Sequence, residues 1–377
     1  MNSKLTHKYF KKYKFKGPWE LTPLPLKKKY QFIIIVPSFS EWKYLPKLLI
    51  SISKQNKKLL KKLLVIIVIN NNINSNKSII ENNRKTDEYC FNLKFIYDVS
   101  VVDAWSGGNA FNKGKTGGVG YARKIGSDLS LLYSDLNTII CQTDADVVLD
   151  SDYLEEINNC YIQNNIEAAV LGFKHRNDEN NKQQYVKVEN YENILYENSN
   201  KLKKAGSRYN YISMGSAITC TMKAYIAVGG IPPIEATEDF YFLNKLAKYC
   251  IVHSLKKTLV YPSSRISNRV YLGTGFRLSQ AMEGFDINTL KYSDNSYIIL
   301  ESFFNVVKTC HNKSFKSIKP KLVSIHPELV NYLVSEKLDL VWSKLQNISN
   351  NNKIFFKHFE NWFDALRIMK FLKKFNL

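Results

Sequence analysis

Two uninterrupted apolar runs constrain the fold of this 377-residue chain more than any other feature. Residues 32–36 read FIIIV, and residues 63–69 read LLVIIVI. Runs so rich in Ile and Val, without alternation of polar residues, are typical of strands buried on both faces of a parallel sheet. Between the runs, apolar residues recur at helical spacing: Leu45, Leu48, Leu49 and Ile52. The order strand, helix, strand predicts an α/β fold.

The same alternation continues to residue 173. Further short strands are predicted at LKFIYDV, TIICQ and EAAVLGF, and a helix is predicted from Ile125 onward. Beyond these, the pattern predicts a long charged helix over 186–204, two short strands within CIVHSLKKTLVYPSSR, and basic helices after residue 284. In an open α/β sheet, ligands bind beyond the carboxyl ends of the strands. The residues that directly follow each strand are therefore the candidates for function.

Charge and cysteine content restrict the classes of function. The formal net charge of +21 favours anionic partners such as phosphate-bearing substrates, anionic lipid or nucleic acid. No zinc finger or RNP motif is present, so no nucleic-acid partner is expected. The apolar runs are too short to span a bilayer, and the basic start KYFKKYKFKGPW has no signal-peptide core. Six cysteines without a C-x-x-C pair predict reduced thiols and a cytoplasmic protein.

A glycine-rich stretch, GGNAFNKGKTGGVGYARKIG at residues 107–126, contains the letters GKT. A phosphate-binding P-loop needs a glycine five residues before the Gly of that GKT, and Asn109 stands there. The preceding DAWSGG is also not expected to be a buried strand. The stretch is therefore not predicted to be a P-loop.

The strongest chemical signal is Asp144–Ala145–Asp146, which follows the predicted strand TIICQ. Two carboxylates at positions i and i+2 of a tight turn can hold a hard divalent cation and leave coordination positions open for a diphosphate. A turn or helix-capping role is the structural alternative, because Asp is common in both. The position at a strand end favours the metal site.

A second acidic pair, Glu238 and Asp239, opens the segment EDFYFLNKL. Both residues suit the first turn of a helix, where they face the positive end of the macrodipole. One of these carboxylates could instead serve an active site as general base.

The order of these segments resembles the family 2 glycosyltransferases with the GT-A fold. The segments that carry the resemblance are VPSFSE, LLVIIVINN, GGVGYARKIG, TDADVVLDSDYL, MGSAITCTMKAYIAVGGI and TEDFYFLNKL. The resemblance covers residues 30–278 and implies a Rossmann-like open mixed sheet with flanking helices, a nucleotide-sugar donor, a divalent metal and inversion at the transferred carbon. It implies a basic extension over 1–28, a GT-A domain over 29–284 and a helical basic C-terminal region over 285–377.

The resemblance also implies roles for individual residues. Asp144 and Asp146 match the metal-binding D-x-D motif, with Mg²⁺ or Mn²⁺ as the ion, and Asp239 matches the general base beside Glu238. Asn70 stands where the family usually carries an acidic residue, which puts that donor contact in doubt. The expected donor-binding residues are Pro37, Ser38, Phe39, Glu41, Asn70, Arg123, Asp144 and Arg269.

The processive synthases' Q-x-x-R-W motif and membrane helices are absent from the sequence, so transfer of a single sugar is expected. Arg265, Arg269 and Arg277 are interleaved with glycines, as in a cationic lid over a diphosphate. The acceptor, a glycan, lipid-linked or small molecule, is expected beside Gly215 and the Gly229–Gly230 turn.

Two alternatives stay open. A sugar-1-phosphate nucleotidylyltransferase would carry a glycine-rich loop directly after the first strand, where this chain has PSFSE. A non-catalytic binder of RNA or of an anionic membrane would use only the positive surface. The basic arm and the aromatic, lysine-rich tail could hold the protein peripherally on a membrane or pack on the protein itself.

Overall fold

The two apolar runs form the centre of the sheet. In the computed structural model, which describes residues 4–26, 28–92, 94–112, 117–177, 181–267, 269 and 273–376, they are strands β1 (Phe32–Ser38) and β2 (Leu63–Asn70). Every residue of both strands is buried, as expected for strands covered on both faces. The strands run parallel, with Phe32 opposite Leu63.

Six further strands complete the sheet that the described residues form: β3 (Asp98–Ala104), β4 (Ile139–Gln142), β5 (Val148–Leu149), β6 (Ala168–Phe173), β7 (Ile218–Thr221) and β8 (Val252–Tyr261). Their spatial order is β3-β2-β1-β4-β7-β6-β8-β5. The first four strands in this order are parallel, and β7 runs antiparallel to both of its neighbours, β4 and β6. The carboxyl ends of β1, β2, β3, β4 and β6 therefore lie at one edge of the sheet.

Helices occupy the connections between strands. Those up to residue 285 are α1 (Lys4–Lys12), α2 (Leu45–Ser53), α3 (Lys57–Leu60), α4 (Lys77–Asn92), α5 (Val119–Leu129), α6 (Tyr153–Asn164), α7 (Lys182–Lys204), α8 (Met222–Ala227), α9 (Glu238–Tyr249) and α10 (Thr274–Met282). The later ones are α11 (Asp294–Val307), α12 (Phe315–Ile325), α13 (Leu329–Ser335), α14 (Leu338–Asn347), α15 (Asn352–Trp362) and α16 (Ala365–Lys374). None of the helices within the described residues combines the length and apolar character needed to cross a bilayer.

The chain divides into two compact units. The first comprises the described residues up to Glu189 together with Ser213–Phe285, and it contains the whole sheet. The second comprises Asn190–Ile212 and the described residues from Asp286 onward, and it is helical. Its interior is aromatic: the Phe303 ring lies 5.5 Å from that of Phe359 and 5.6 Å from that of Phe363.

The structure differs from the sequence prediction at two strands. β3 begins at Asp98, so the predicted strand LKFIYDV lies mostly before it, because the residues that pair with β2 are Asp98–Ala104. β3 ends at Ala104, so only the first two residues of DAWSGG belong to a strand. The segment predicted as two short strands is the single strand β8, whose pairing with β6 shifts register around Gly172.

Candidate active site

The first acidic residue at the carboxyl edge of the sheet is Glu41. β1 ends with Pro37 and Ser38, both buried, and Ser40 then turns the chain with a positive φ of 59°. The turn puts the Glu41 side chain in a buried position, where its Oε1 atom accepts hydrogen bonds from Arg265 and from Arg269, the latter at 2.7 Å. The other carboxylate oxygen, Oε2, is buried without a hydrogen-bond partner among the described residues. A buried carboxylate oxygen in this state marks a place where a polar ligand can bind.

Two cationic side chains cover this acidic residue. Arg269 also donates to the carbonyl oxygen of Phe39 at 3.0 Å. The guanidinium of Arg265 lies over the ring of Tyr44, 4.3 Å from its centroid, and bridges Glu41 to Asp146. The structure thus brings together the predicted residues Phe39, Glu41, Asp146 and Arg269.

The side chain of Asn70, the last residue of β2, is hydrogen-bonded to the backbone. Its side-chain amide donates to the carbonyl oxygens of Ser38 and Val68, at 3.3 and 3.0 Å. The side chain is buried and ties the end of β1 to the end of β2. This bonding favours a structural role, and a donor contact by Asn70 stays a prediction.

Arg123 joins the two acidic motifs. It lies on α5, buried, and its Nη2 atom donates to Asp144 Oδ1 at 2.6 Å while its Nε atom donates to Glu238 Oε1 at 3.1 Å. Nη1 donates to the carbonyl oxygen of Thr143 at 3.1 Å. Burial alone would lower the pKa of Arg123, but the surrounding carboxylates of Asp144, Glu238 and Asp239 outweigh it and raise that pKa. A rigid guanidinium fork suits such a bridge, which a lysine could not reproduce.

The Asp144–Asp146 turn follows β4 directly. The Asp144 side chain is 38% exposed and the Asp146 side chain 18%, so the first can reach a ligand in solvent. Asp146 Oδ2 lies 2.9 Å from Arg265, and the Asp146 carbonyl oxygen accepts from Arg176 at 2.9 Å. Burial raises the pKa of Asp146 to about 6, Arg265 opposes this shift, and Glu41 and Asp144 add to it.

Glu238 and Asp239 open α9, preceded by Thr237 with a positive φ of 65°. The carboxylate of Glu238 is held by Arg123, whereas Asp239 Oδ1 accepts from the backbone N–H of Phe240 at 2.7 Å. Burial raises the pKa of both carboxyl groups, and the adjacent Asp239 raises that of Glu238 further. A carboxylate with a raised pKa is better suited to accept a proton at neutral pH.

Gly215 lets Arg123 approach the backbone beside Asp239. A Cβ atom at this position would lie 2.7 Å from Arg123 Nη2 and 3.7 Å from Asp239 Oδ2. At the Gly229–Gly230 turn, a Cβ on Gly229 would lie 3.2 Å from the Tyr13 ring, and one on Gly230 would lie 2.5 Å from Tyr9 Oη. The N-terminal segment therefore packs against this turn, and an acceptor beside it stays a prediction.

The glycine-rich stretch opens α5 against the segment before α9. A Cβ on Gly120 would lie 2.5 Å from the carbonyl oxygen of Ile234, and one on Gly118 would lie 2.4 Å from Glu235 Cα. These glycines thus allow a close approach that brings Arg123 to Glu238. The letters GKT at 114–116 lie outside the described residues.

The residues present meet part of what a divalent cation requires. Asp144 and Asp146 supply the oxygen ligands that Mg²⁺ and Mn²⁺ prefer, and the unpartnered Glu41 Oε2 is also at this edge. Within the described residues, however, no group of three or more His, Cys, Asp or Glu side chains could hold a metal ion. A metal at the Asp144–Asp146 turn would therefore need further oxygen ligands from a diphosphate or from water.

The sequence pattern did not indicate Arg176, and it indicated Arg265 only as part of a cationic lid. Arg176 follows β6, which runs parallel to β4, so its position after a strand was the available signal. Arg277 does not join the acidic residues. Its Nη1 atom donates to Gln280 at 2.8 Å on its own helix, α10.

Comparisons with known proteins give distant likenesses. No family model and no curated protein matches the chain. Among solved structures, TarS 1–349 of S. aureus in complex with UDP-GlcNAc matches with 14% identity over 88% of this chain and 91% of that one, at a TM-score of 0.45. A Pyrobaculum calidifontis mannosyltransferase, PcManGT, in complex with GDP-Man and Mn²⁺ matches with 14% identity over 95% and 94%, at a TM-score of 0.42.

Likenesses as distant as these assign neither a substrate nor a residue role to this chain. The open mixed sheet with flanking helices that the GT-A resemblance implies is confirmed by the topology of the chain itself.

Proposed function

We propose that the chain is a non-processive, family 2-like glycosyltransferase that moves one sugar from a nucleotide-sugar donor to an acceptor hydroxyl. The observation that carries this proposal is the position of Arg123, which bonds Asp144 of the D-x-D turn and Glu238 of the acidic pair simultaneously. Two motifs separated by more than ninety residues therefore belong to one site at the edge where open α/β sheets bind ligands.

In the proposed reaction, the donor diphosphate lies between the Asp144–Asp146 turn and the guanidinium groups of Arg265 and Arg269. Asp144 and Asp146 would hold Mg²⁺ or Mn²⁺, which neutralises charge on the departing diphosphate. Arg265 and Arg269 add fixed positive charge from their places over Glu41. The chain thereby offers cations of its own on the leaving-group side.

Asp239 acts as the base on the acceptor side. The acceptor hydroxyl approaches beside Gly215, and its proton passes to the Asp239 carboxylate as the oxygen bonds to the anomeric carbon. The bond from that carbon to the diphosphate oxygen breaks at the same time, which releases the nucleoside diphosphate and inverts the carbon. Glu238 cannot share this role while it is bound to Arg123. It positions the first turn of α9.

The acceptor is proposed to be a glycan, a lipid-linked or a small-molecule hydroxyl, and the activity is proposed to be cytoplasmic. Free cysteines support that location: Cys90, Cys141, Cys220 and Cys310 are buried thiols rather than disulfides.

A screen of UDP- and GDP-sugars tests the proposal. Donor hydrolysis and thermal stabilisation are measured with Mn²⁺, with Mg²⁺ and with EDTA. We expect at least one sugar nucleotide to be hydrolysed slowly and to raise the melting temperature, with both effects stronger in the presence of metal. Salt-sensitive binding to RNA or anionic vesicles without any turnover of sugar nucleotide would reject the enzyme and select a binding protein.

A further inference from the structure

Asp128 is a buried carboxylate that the proposed reaction does not use. It lies on α5, fully buried, one helical turn beyond Lys124, whose Nζ atom is 3.0 Å from Asp128 Oδ2. Tyr225 of α8 donates to Asp128 Oδ1 at 2.8 Å. Two more donors come from the start of the chain: Tyr9 Oη, 2.5 Å from Oδ1, and the backbone N–H of Phe15, 2.8 Å from Oδ2. The N-terminal segment, defined here as residues 4–26, thus supplies part of the shell of a buried charge.

The same segment contacts both ends of the glycine-rich stretch, called its flanks here: residues 107–112 and 117–126. The Trp19 indole donates to the carbonyl oxygen of Asn109 at 2.9 Å, and its ring lies 5.7 Å from that of Phe111. In the second flank, the Tyr121 ring lies 5.8 Å from Trp19. Thr22 then pairs with Val101 of β3 through two backbone hydrogen bonds. One side chain, Trp19, therefore connects the first flank with α5.

The molecule is shaped to receive this segment. Tyr9 is 1% exposed, and Gly230 leaves the space that its hydroxyl group fills. Gly229 does the same for the Tyr13 ring, and both glycines have positive φ angles, of 81° and 72°. Any side chain at either glycine would be strained as well as crowded. A segment whose only role was to present lysines to an anionic surface would not need these two packing positions.

We propose that the N-terminal segment is a positioning element of the donor site. It fixes α5, which carries Arg123, and it holds the first flank of the glycine-rich stretch beside that helix. The physical reason is that the Tyr9 bond to Asp128 and the Trp19 contacts seat this segment against α5 and against the residues around Asn109. If the segment came away, α5 would lose its Trp19–Tyr121 contact, and Asn109 and Phe111 would lose their contacts with Trp19. This inference rests on the proposed function for its effect on donor binding, although the contacts themselves do not.

A matched pair of variants separates the segment from the rest of the shell. Tyr9→Phe and Tyr225→Phe each delete one hydroxyl donor to the same atom, Asp128 Oδ1, but only the first lies in the N-terminal segment. A third variant, Trp19→Leu, removes the ring that contacts both flanks. The donor KM and kcat are measured with UDP-GlcNAc and GDP-mannose, and the melting temperature is recorded for each variant.

We expect Tyr9→Phe to raise the donor KM by roughly three- to tenfold, because it loses a hydrogen bond to a charged group. We expect Trp19→Leu to raise the donor KM by roughly tenfold, because it loses a hydrogen bond and the ring contacts with Phe111 and Tyr121. The value of kcat should stay within about twofold because Asp239 is untouched. Tyr225→Phe should lower the melting temperature about as much as Tyr9→Phe does, but it should leave the donor KM unchanged. A lower melting temperature with unchanged KM in all three variants would mean that the segment only stabilises the fold. Equal KM changes for the two Tyr variants would assign the effect to Asp128 rather than to the segment.

Hydrogen exchange provides a readout that needs no donor. If the parental chain turns over no sugar nucleotide, the proposed function fails, and exchange at Val119–Leu129 still tests the positioning element. Faster exchange there in Tyr9→Phe and Trp19→Leu, but not in Tyr225→Phe, would support it. Exchange at the parental rate in both N-terminal variants would overturn it.

Discussion

The carboxylates of the site differ mainly in whether an arginine side chain is already bound to them. Glu238, Asp144 and Asp146 each have one oxygen bound to a guanidinium group, whereas Asp239 Oδ1 accepts from the backbone N–H of Phe240. Proton transfer needs a carboxylate oxygen that can reach the acceptor, and Asp239 Oδ2 lies 3.7 Å from the Cβ position of Gly215. This difference is the reason for proposing Asp239 as the base and Glu238 as a positioning residue.

Asp239→Asn tests this assignment. The amide keeps the size of the side chain but cannot accept the proton. We expect kcat for transfer to fall by roughly two to four decades while donor affinity is kept. Glu235→Gln, an exposed site on the same approach to α9, serves as the control and should transfer at the parental rate. Transfer by Asp239→Asn at that rate would leave Asp239 with only a helix-capping role.

Asp146→Asn tests the metal ligand. Asp146→Asn replaces a negative carboxylate by a neutral amide oxygen, which binds a hard cation more weakly. The change should therefore abolish the strengthening of UDP or GDP binding by Mn²⁺. Isothermal titration with and without Mn²⁺ measures the difference. Asp152→Asn, an exposed carboxylate paired with Lys257, should retain it. Unchanged metal dependence in the Asp146 variant would place the cation elsewhere.

The sequence predicted these carboxylates because each follows a strand or opens a helix, and such positions can be recognised in a linear pattern. It indicated Arg123 and Arg265 but not the carboxylates that they bind, and it did not indicate Arg176, which bonds the Asp146 backbone. These arginines reach the site from different elements, and the order of strands that brings those elements together includes antiparallel β7. Asn70 was predicted from its position as a donor contact, and the hydrogen bonds that its amide makes to the ends of two strands could not be read from the sequence.

Among the elements, α5 owes its position to a glycine that allows close backbone contact as well as to apolar packing. Gly120 faces the carbonyl oxygens of Ile234 and Pro232, at 2.5 and 2.7 Å from its Cβ position. Backbone atoms cannot move aside as a flexible side chain can, so the helix must shift if the space is filled. The contact explains why this part of the sequence is rich in glycine without being a P-loop.

Gly120→Ala should cost about 1–3 kcal/mol of unfolding free energy and should raise the donor KM, because Arg123 moves away from Glu238. Gly108→Ala is the matched control: a Cβ there meets nothing within 4 Å. Denaturant unfolding and donor kinetics measure both effects. Equal behaviour of the two alanine variants would mean that α5 tolerates displacement.

β8 illustrates what a local pattern misses. Lys256 and Lys257 interrupt the apolar sequence and suggested a break between two strands. The strand continues because Gly172 of β6 has no side chain and lets the backbone of β8 come close. A Cβ at Gly172 would lie 2.4 Å from the carbonyl oxygen of Lys257. The irregular pairing at this point depends on a residue some 85 positions earlier, so no window around the two lysines could reveal it.

At the scale of the whole molecule, the net charge of +21 raises the question of whether the chain ends serve attachment. The sequence pattern of the tail is compatible with lying on a membrane and with packing on the protein. Its aromatic residues Phe355, Phe359, Phe363 and Phe371 are fully buried within the second unit. On α16, Leu366 and Met369 stay 38% and 46% exposed and lie one helical turn apart. Attachment to an anionic surface would therefore use the exposed lysines with no more than this small apolar pair on α16.

A pair of tail variants distinguishes a core from a membrane-binding face. Phe359 packs against the rings of Phe303, Phe304 and Phe363 at 5.5–6.1 Å, so Phe359→Ala should cost about 3–5 kcal/mol through lost burial and the cavity left behind. Met369→Ala should change stability by no more than about 0.5 kcal/mol, as is usual at exposed sites. Hydrogen exchange at Asn352–Trp362 and Ala365–Lys374 measures the loss locally, which avoids assuming that the two units unfold together. If both variants exchange alike, the aromatic residues of the tail do not form the interior of the second unit, and their spacing beside lysine would again indicate a membrane surface.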